Sequence, residues 1–225
     1  MAEAADMMLP LELLDQLEAL PIERGRPLLA VDCDEVLVHL SEHLCEWLRR
    51  IGYRMELVRY QLEGSIFPAR SDVPVPFAEC LDLIDRFFSE ETLRQRPIPG
   101  ASAALARLAE HAQVLVLTNV PRHATALRRR NLEALGMGYP LVENAGGKGR
   151  ALAWLERRTA APVIFIDDSP RQHESAARRA PAVTRVHFAA APHVRRLLPS
   201  CAAANHRAEN WRACEKLVLD LLGAG

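Results

Sequence analysis

The sequence is short of everything that would tie it to a membrane, an oxidising compartment or a polyanion. Its longest uninterrupted apolar stretches are strand-sized, too short to span a bilayer. Acids stand at the start, in MAEAADMMLPLELLDQLEAL, where a secretory leader would carry a basic region. That stretch reads as a short amphipathic helix on the domain surface, and the expected location is cytoplasmic. The 28 Lys and Arg nearly balance the 29 Asp and Glu, so no general attraction to nucleic acid or an anionic membrane is expected. The five cysteines (Cys33, Cys45, Cys80, Cys201, Cys214) include no CxxC pair and are odd in number, which argues against a disulfide framework or a zinc site. The eight histidines show no metal-ligand spacing. There is no internal repeat.

What remains is globular. The chain has 225 residues, 49% of them hydrophobic, enough for one large domain or one domain carrying an insertion. Apolar runs rich in Val, Ile and Leu predict buried strands at 28–32, 114–119 and 163–167, with weaker ones at 141–143 and 183–188. Helical patterns lie between them at 101–111, 122–135, 148–158 and 171–179, and the tail, 208–222, reads as a closing amphipathic helix. Strands alternating with helices predict an α/β fold with a parallel sheet covered on both faces. Residues 39–96 break the alternation, with helical patterns at 41–50 and 77–88, a proline-rich loop and no convincing buried strand. They read as a small helical cap inserted after the first strand, with 1–38 and 97–225 forming the core.

The three clearest strands end in polar residues, DCD, TN and DD, on the sheet edge where open α/β sheets bind ligands. Asp32, Asp34, Thr118, Lys148, Asp167 and Asp168 converge there. Anions so close repel one another, and one of them protonates or finds a cation. Carboxylates with other oxygen donors suit a hard cation, and Mg²⁺ keeps waters while taking a phosphate oxygen. With a phosphate neutralised in this way, one aspartate can attack phosphorus while the other moves the proton. Taken singly, these residues have plainer readings: Asp168 as a helix cap, Thr118 as a strand-end threonine, Lys148 as a solvated helix residue.

Four stretches in order, "AVDCDEVLV", "VLVLTNV", "GGKGRAL" and "VIFIDDSP", resemble the haloacid dehalogenase (HAD) superfamily in its phosphatase branch. The resemblance implies a Rossmann-like core with an inserted helical cap. It implies Asp32 as nucleophile, Asp34 as general acid and base, and Thr118, Asn119 and Lys148 as phosphate ligands. Mg²⁺ would be held by Asp167 and Asp168 with Asp32 and the backbone carbonyl of Asp34. The chain departs from the pattern at Glu35-Val36, where Gly-Thr is usual, and at Gln172, where many relatives carry Asp. Glu35 is left open between the metal shell, the substrate and solvent.

The expected function is therefore hydrolysis of a small phosphorylated metabolite through an aspartyl-phosphate. The alternative is a weakly catalytic relative that binds a ligand or partner. A response-regulator phosphoacceptor has its acidic pair first, whereas here a second pair comes last. A dehalogenase proper needs neither Asp34 nor the late pair. The cap resembles that of 5′(3′)-deoxyribonucleotidase-type members, which makes a nucleoside monophosphate a candidate substrate. Tyr60, Phe67 and Arg70 are expected over the leaving group. "GGKG" lacks the Ser or Thr of a Walker A loop, and Arg128-Arg129-Arg130 reads as a solvated helix face. His123 and His173 follow strand ends, which leaves them open to a ligand contact, with a surface position the commoner reading. Cys33 is expected to point into the fold. Oligomeric state stays open.

Overall fold

The computed structural model describes residues 9–59, 61–197 and 200–224. Six strands, β1 (Leu28–Val31), β4 (Gln113–Thr118), β5 (Leu141–Glu143), β6 (Val163–Asp167), β7 (Thr184–Phe188) and β8 (His206–Ala208), form one sheet in the order β5-β4-β1-β6-β7-β8. Every pairing in it is parallel. The chain leaves β1 for β4 on one side and later returns to β6 on the other, so the strand order reverses at β1. A crevice opens at such a point, at the carboxyl ends of the strands.

The continuous apolar runs follow from burial on both faces. Leu29 and Val31 of β1 join Val116, Ile164, Ile166 and Phe188 in one cluster. Helices α4 (Ala101–Leu108) and α9 (Trp211–Leu222) cover that face through Leu105, Leu108, Trp211 and Val218. Leu28 and Ala30 turn to the other face with Leu115, Leu117 and Phe165. There α1 (Leu11–Glu18), α6 (Gly149–Thr159) and α7 (Pro170–Arg179) pack through Leu13, Leu17, Leu152 and Ala176. Only 11–18 of the expected N-terminal helix is helical among the described residues.

Between β1 and β4 the chain forms α2 (Ser41–Arg50), a short antiparallel pair β2 (Tyr53–Met55) and β3 (Ile66–Pro68), and α3 (Phe77–Glu91). Their own cluster centres on Trp47 and Phe87, with ring centroids 5.7 Å apart, and reaches Val120 and Ala124 of the core. The strand pair was not expected. Each strand is three residues long and mostly half-buried, so neither leaves an apolar run to read. The tail also differs. Residues 206–208 extend the sheet as β8, and the helix begins later, at Trp211, where the Asn210 side chain accepts the Ala213 amide at 2.9 Å. A six-residue helix, α8 (Pro192–Leu197), precedes it. The helix expected at 122–135 becomes a 3₁₀ turn, Arg122–Ala124, followed by α5 (Thr125–Ala134). No helix among the described residues is long and apolar enough to cross a membrane.

Candidate active site

β1 and β6 are hydrogen-bonded neighbours with Val31 opposite Ile166, which brings Asp32 beside Asp167 and Asp168. The Lys148 ammonium lies between them, 2.6 Å from Asp32 Oδ1 and 2.7 Å from Asp167 Oδ2. A lysine so deeply buried is uncommon without partners, and here the partners decide its charge. Burial disfavours the ammonium, but Asp167 and Asp32 outweigh burial and raise its pKa. Lys148 is therefore no solvated helix residue.

The loop around Lys148 explains its glycines. A Cβ on Gly149 would overlap the Ser175 carbonyl, and one on Gly147 would overlap the Ser175 hydroxyl. Bare backbone lets α6 approach α7 and sets the lysine into the site. Gln172 holds the same loop from α7. Its Oε1 accepts the Lys148 amide at 2.8 Å and its Nε2 donates to the Gly146 carbonyl at 3.1 Å.

The acidic residues are strained electrostatically. Burial pushes the pKa of Asp32 up and repulsion from Asp167 adds to this, while Lys148 pulls it down. Burial likewise raises Asp167 against the pull of Lys148. Asp168 is raised well above the usual carboxylate range, by burial and then by Asp32 and Glu35. Asp168 has no cationic side chain within ion-pair distance among the described residues. Asp32, Asp167 and Asp168 each offer a carboxylate oxygen, all within 4.8 Å of one another. A hard divalent cation fits this donor set and would relieve the repulsion.

Asp34 turns elsewhere. Its Oδ1 accepts from Arg128 Nη2 at 2.7 Å, and Gln95 Nε2 stands 3.4 Å away. Arg128 is fully buried, so the expected solvated arginine face is corrected at this residue. Ala124, Arg128 and Leu132 are spaced by one helical turn and all face inward, a periodicity that would have placed Arg128 on the buried stripe. Burial raises the Asp34 pKa although Arg128 opposes it.

Two buried histidines support the late acidic pair from behind. His173 Nε2 donates to the Asp167 carbonyl at 2.8 Å, and His187 Nε2 donates to the Asp168 carbonyl at 3.1 Å. Burial holds both imidazoles down to about 4, so they are neutral donors at neutral pH. His173 is no surface residue, whereas His123 is exposed and pairs with Asp85 at 3.3 Å. Nothing in the sequence marks this support. Cys33 is buried as expected, and all five cysteines are free.

A cavity of about 290 Å³ opens over the strand ends. Asp32, Asp34, Glu35, Thr118, Asn119, Lys148 and Asp168 line it from the core, and Leu40, Ser41, Leu57, Gln61, Leu62 and Phe88 close it from the cap side. Asp167 is buried behind the lysine. Asn119 Nδ2 donates to the Gly146 carbonyl at 2.8 Å, and its Oδ1 accepts from Asn144 at 2.8 Å, fixing its rotamer. The expected specificity residues are not brought to this cavity where they are described. Phe67 lies under the Arg54 guanidinium, 4.6 Å from ring centroid to Cζ, and Arg70 is exposed. Tyr60 lies outside the described residues.

No protein-family model matches the chain, and no curated protein matches it. Solved structures do. A haloacid dehalogenase-like protein of unknown function from Agrobacterium tumefaciens aligns with a TM-score of 0.61 at 16% identity, over 88% of this chain and 99% of that one. A HAD family hydrolase from Deinococcus radiodurans, with bound phosphate and sodium, gives 0.59 at 18% identity over 90% and 96%. A predicted phosphoglycolate phosphatase from Haemophilus somnus gives 0.57 at 12% over 85% and 97%. At these identities the likeness shows the fold. It is a HAD-like α/β fold with a helical insert after β1.

Proposed function

We propose that the chain is a Mg²⁺-dependent phosphomonoester hydrolase working through an aspartyl-phosphate on Asp32. The observation that carries this reading is the buried Lys148 ammonium, bridging Asp32 and Asp167 in the wall of a cavity at the strand-order reversal. A phosphoryl group entering there meets a carboxylate nucleophile, an ammonium for its oxygens, and Thr118 and Asn119 on the neighbouring strand end. Asp32, Asp167 and Asp168 would hold the Mg²⁺, with the Asp34 carbonyl as a further ligand. When bound, the ion supplies positive charge that lets an anionic ester approach a carboxylate.

Asp32 attacks phosphorus, and the bond to the leaving oxygen breaks as Asp34 gives that oxygen a proton. Water then attacks the aspartyl-phosphate while Asp34 takes its proton, returning Asp32 and releasing phosphate. Residues 1–38 and 97–225 serve as the catalytic core, and 39–96 as the cap over the leaving group. The substrate is a small phosphomonoester, and a nucleoside monophosphate belongs to that class.

The test is release of phosphate from p-nitrophenyl phosphate with Mg²⁺. Asp32→Asn should lose about a thousandfold or more while keeping the wild-type far-UV spectrum and a cooperative melt. Wild-type turnover by Asp32→Asn would refute the mechanism.

A further inference from the structure

Glu35 follows Asp34 in a turn that bends the chain sharply into the cap. It adopts φ +62°, a conformation usual for glycine and uncommon for a residue with a side chain. The turn is firmly held, with the Cys33 carbonyl accepting the Leu37 and Val38 amides at 2.7 and 3.0 Å and Trp211 Nε1 donating to the Val36 carbonyl at 2.8 Å. Glycine would fit here without strain, yet the chain has a glutamate that is only 3% exposed.

Half of that carboxylate is accounted for. Oε1 accepts the Leu40 amide at 3.2 Å and the Ser41 amide, closing the amino end of α2 and placing negative charge at the positive end of a helix. Oε2 is buried without a hydrogen-bond partner. A buried carboxylate oxygen left unpaired is costly, and Glu35 belongs to the cavity wall. The rest of the outer cavity is either apolar (Leu40, Leu57, Leu62, Phe88) or neutral. Among the described residues lining the cavity Lys148 is the one cation, and both Asp32 and Asp167 already engage it.

We infer that Glu35 selects the leaving group. The substrate is a phosphomonoester whose organic part carries a hydrogen-bond donor, hydroxyl or ammonium, and no second negative charge. This rests on the phosphatase reading and deepens it. A donor on the leaving group satisfies Oε2, while an anion there faces a carboxylate with no unengaged cationic side chain among the described residues lining the cavity. Such a residue discriminates by repulsion as well as by attraction.

Four two-carbon esters isolate the terminal group: ethyl phosphate, 2-hydroxyethyl phosphate, phosphoethanolamine and phosphoglycolate. Relative to ethyl phosphate, kcat/KM should be about tenfold or more higher for one or both donors and about tenfold or more lower for phosphoglycolate. Glu35→Gln keeps an acceptor for the Leu40 and Ser41 amides but removes the charge. In it the phosphoglycolate-to-ethyl ratio should rise about tenfold and the phosphoethanolamine-to-ethyl ratio should fall. A hydroxyl preference that survives in Glu35→Gln identifies an alcohol substrate, and an ammonium preference that collapses identifies an amine. The same ranking should appear in the melting-temperature rise each ester gives Asp32→Asn. Phosphoglycolate turned over as well as ethyl phosphate would overturn the inference. So would a phosphoglycolate-to-ethyl ratio unmoved in Glu35→Gln, including an equal loss on every ester, which would place Glu35 at the water shell of the metal. If no ester and no p-nitrophenyl phosphate is hydrolysed, the phosphatase reading fails, and the melting ranking alone decides whether Glu35 discriminates.

Discussion

Arg128 and Asp34 form an ion pair 2.7 Å long, with the guanidinium wholly removed from solvent and the carboxylate half-buried at the cavity. A second Arg128 contact, to Gln95 Oε1 at 2.7 Å, and one from Asn131 Nδ2 to the Gln95 carbonyl at 3.1 Å extend it to the segment that leaves the cap. The proposed general acid and base is thus aimed by a helix from the core. Arg128→Met would strand a half-buried carboxylate in the cavity wall, and a loss of about 1–3 kcal/mol in denaturant unfolding is expected. Arg128→Lys keeps the charge and should fold better. Its alkyl phosphate turnover should fall well below its p-nitrophenyl phosphate turnover, because a poor leaving group depends more on a well-aimed acid.

The surroundings of Asp168 resist its ionisation, through burial and the nearby Asp32 and Glu35. In excess chelator, Asp168→Asn should melt above the wild type, a gain of about 1 kcal/mol from relieved repulsion. Added Mg²⁺ should then stabilise the wild type and not the variant. The comparison is a pair of thermal melts with and without Mg²⁺, and equal responses would remove Asp168 from the metal site.

Gly149 tests how Lys148 is placed. An alanine there meets backbone rather than a yielding side chain, so Gly149→Ala should cost about 1–3 kcal/mol. Turnover should fall further than stability, since moving α6 off α7 also moves the ammonium. Retained activity in a destabilised Gly149→Ala would show that the lysine tolerates displacement.

Within the cap, Glu91 receives His43 Nε2 at 2.8 Å, Arg50 at 2.7 Å and Arg94 at 3.1 Å. Burial alone would raise its pKa, but the hydrogen bonds from His43 and Arg50 prevail and hold it below the ordinary glutamate value. A carboxylate depressed by folding stabilises the fold above its unfolded pKa, and that contribution is lost as pH falls through the folded value. Stability should therefore decline as the pH drops from about 4.5. Glu91→Gln, less stable by about 1–3 kcal/mol at pH 7, should show a shallower decline. Trp47 fluorescence in denaturant titrations at stepped pH reads this, and parallel pH curves would refute it.

The acidic edge was legible because parallel strands announce themselves as apolar runs, and their polar ends then share one side of the sheet. Asp32, Thr118, Lys148 and Asp168 all reach the cavity that this reading requires. What escaped is contact between segments far apart in the chain. Arg128 looked solvated because it sits in a triplet of arginines, and only its register with Ala124 and Leu132 told otherwise. The half-buried β2 and β3 leave no run to find. Phe67 and Arg70 belong to a stretch whose side-chain partners the sequence does not display, and the β2–β3 pair gives Phe67 to Arg54.

The chain enters and leaves the cap at almost the same point. The His39 amide donates to the Arg96 carbonyl at 2.9 Å, Gln95 Nε2 to the His39 carbonyl at 3.1 Å, and the Ile98 amide to the Leu37 carbonyl at 2.8 Å. The cap meets the core at this neck and again where its cluster reaches Val120 and Ala124 and where Asp85 pairs with His123 at 3.3 Å. The ends that removal of 40–95 would leave already lie within a hydrogen bond of each other. The six-stranded sheet forms without a single strand from the cap, since every one of its pairings lies outside residues 39–96.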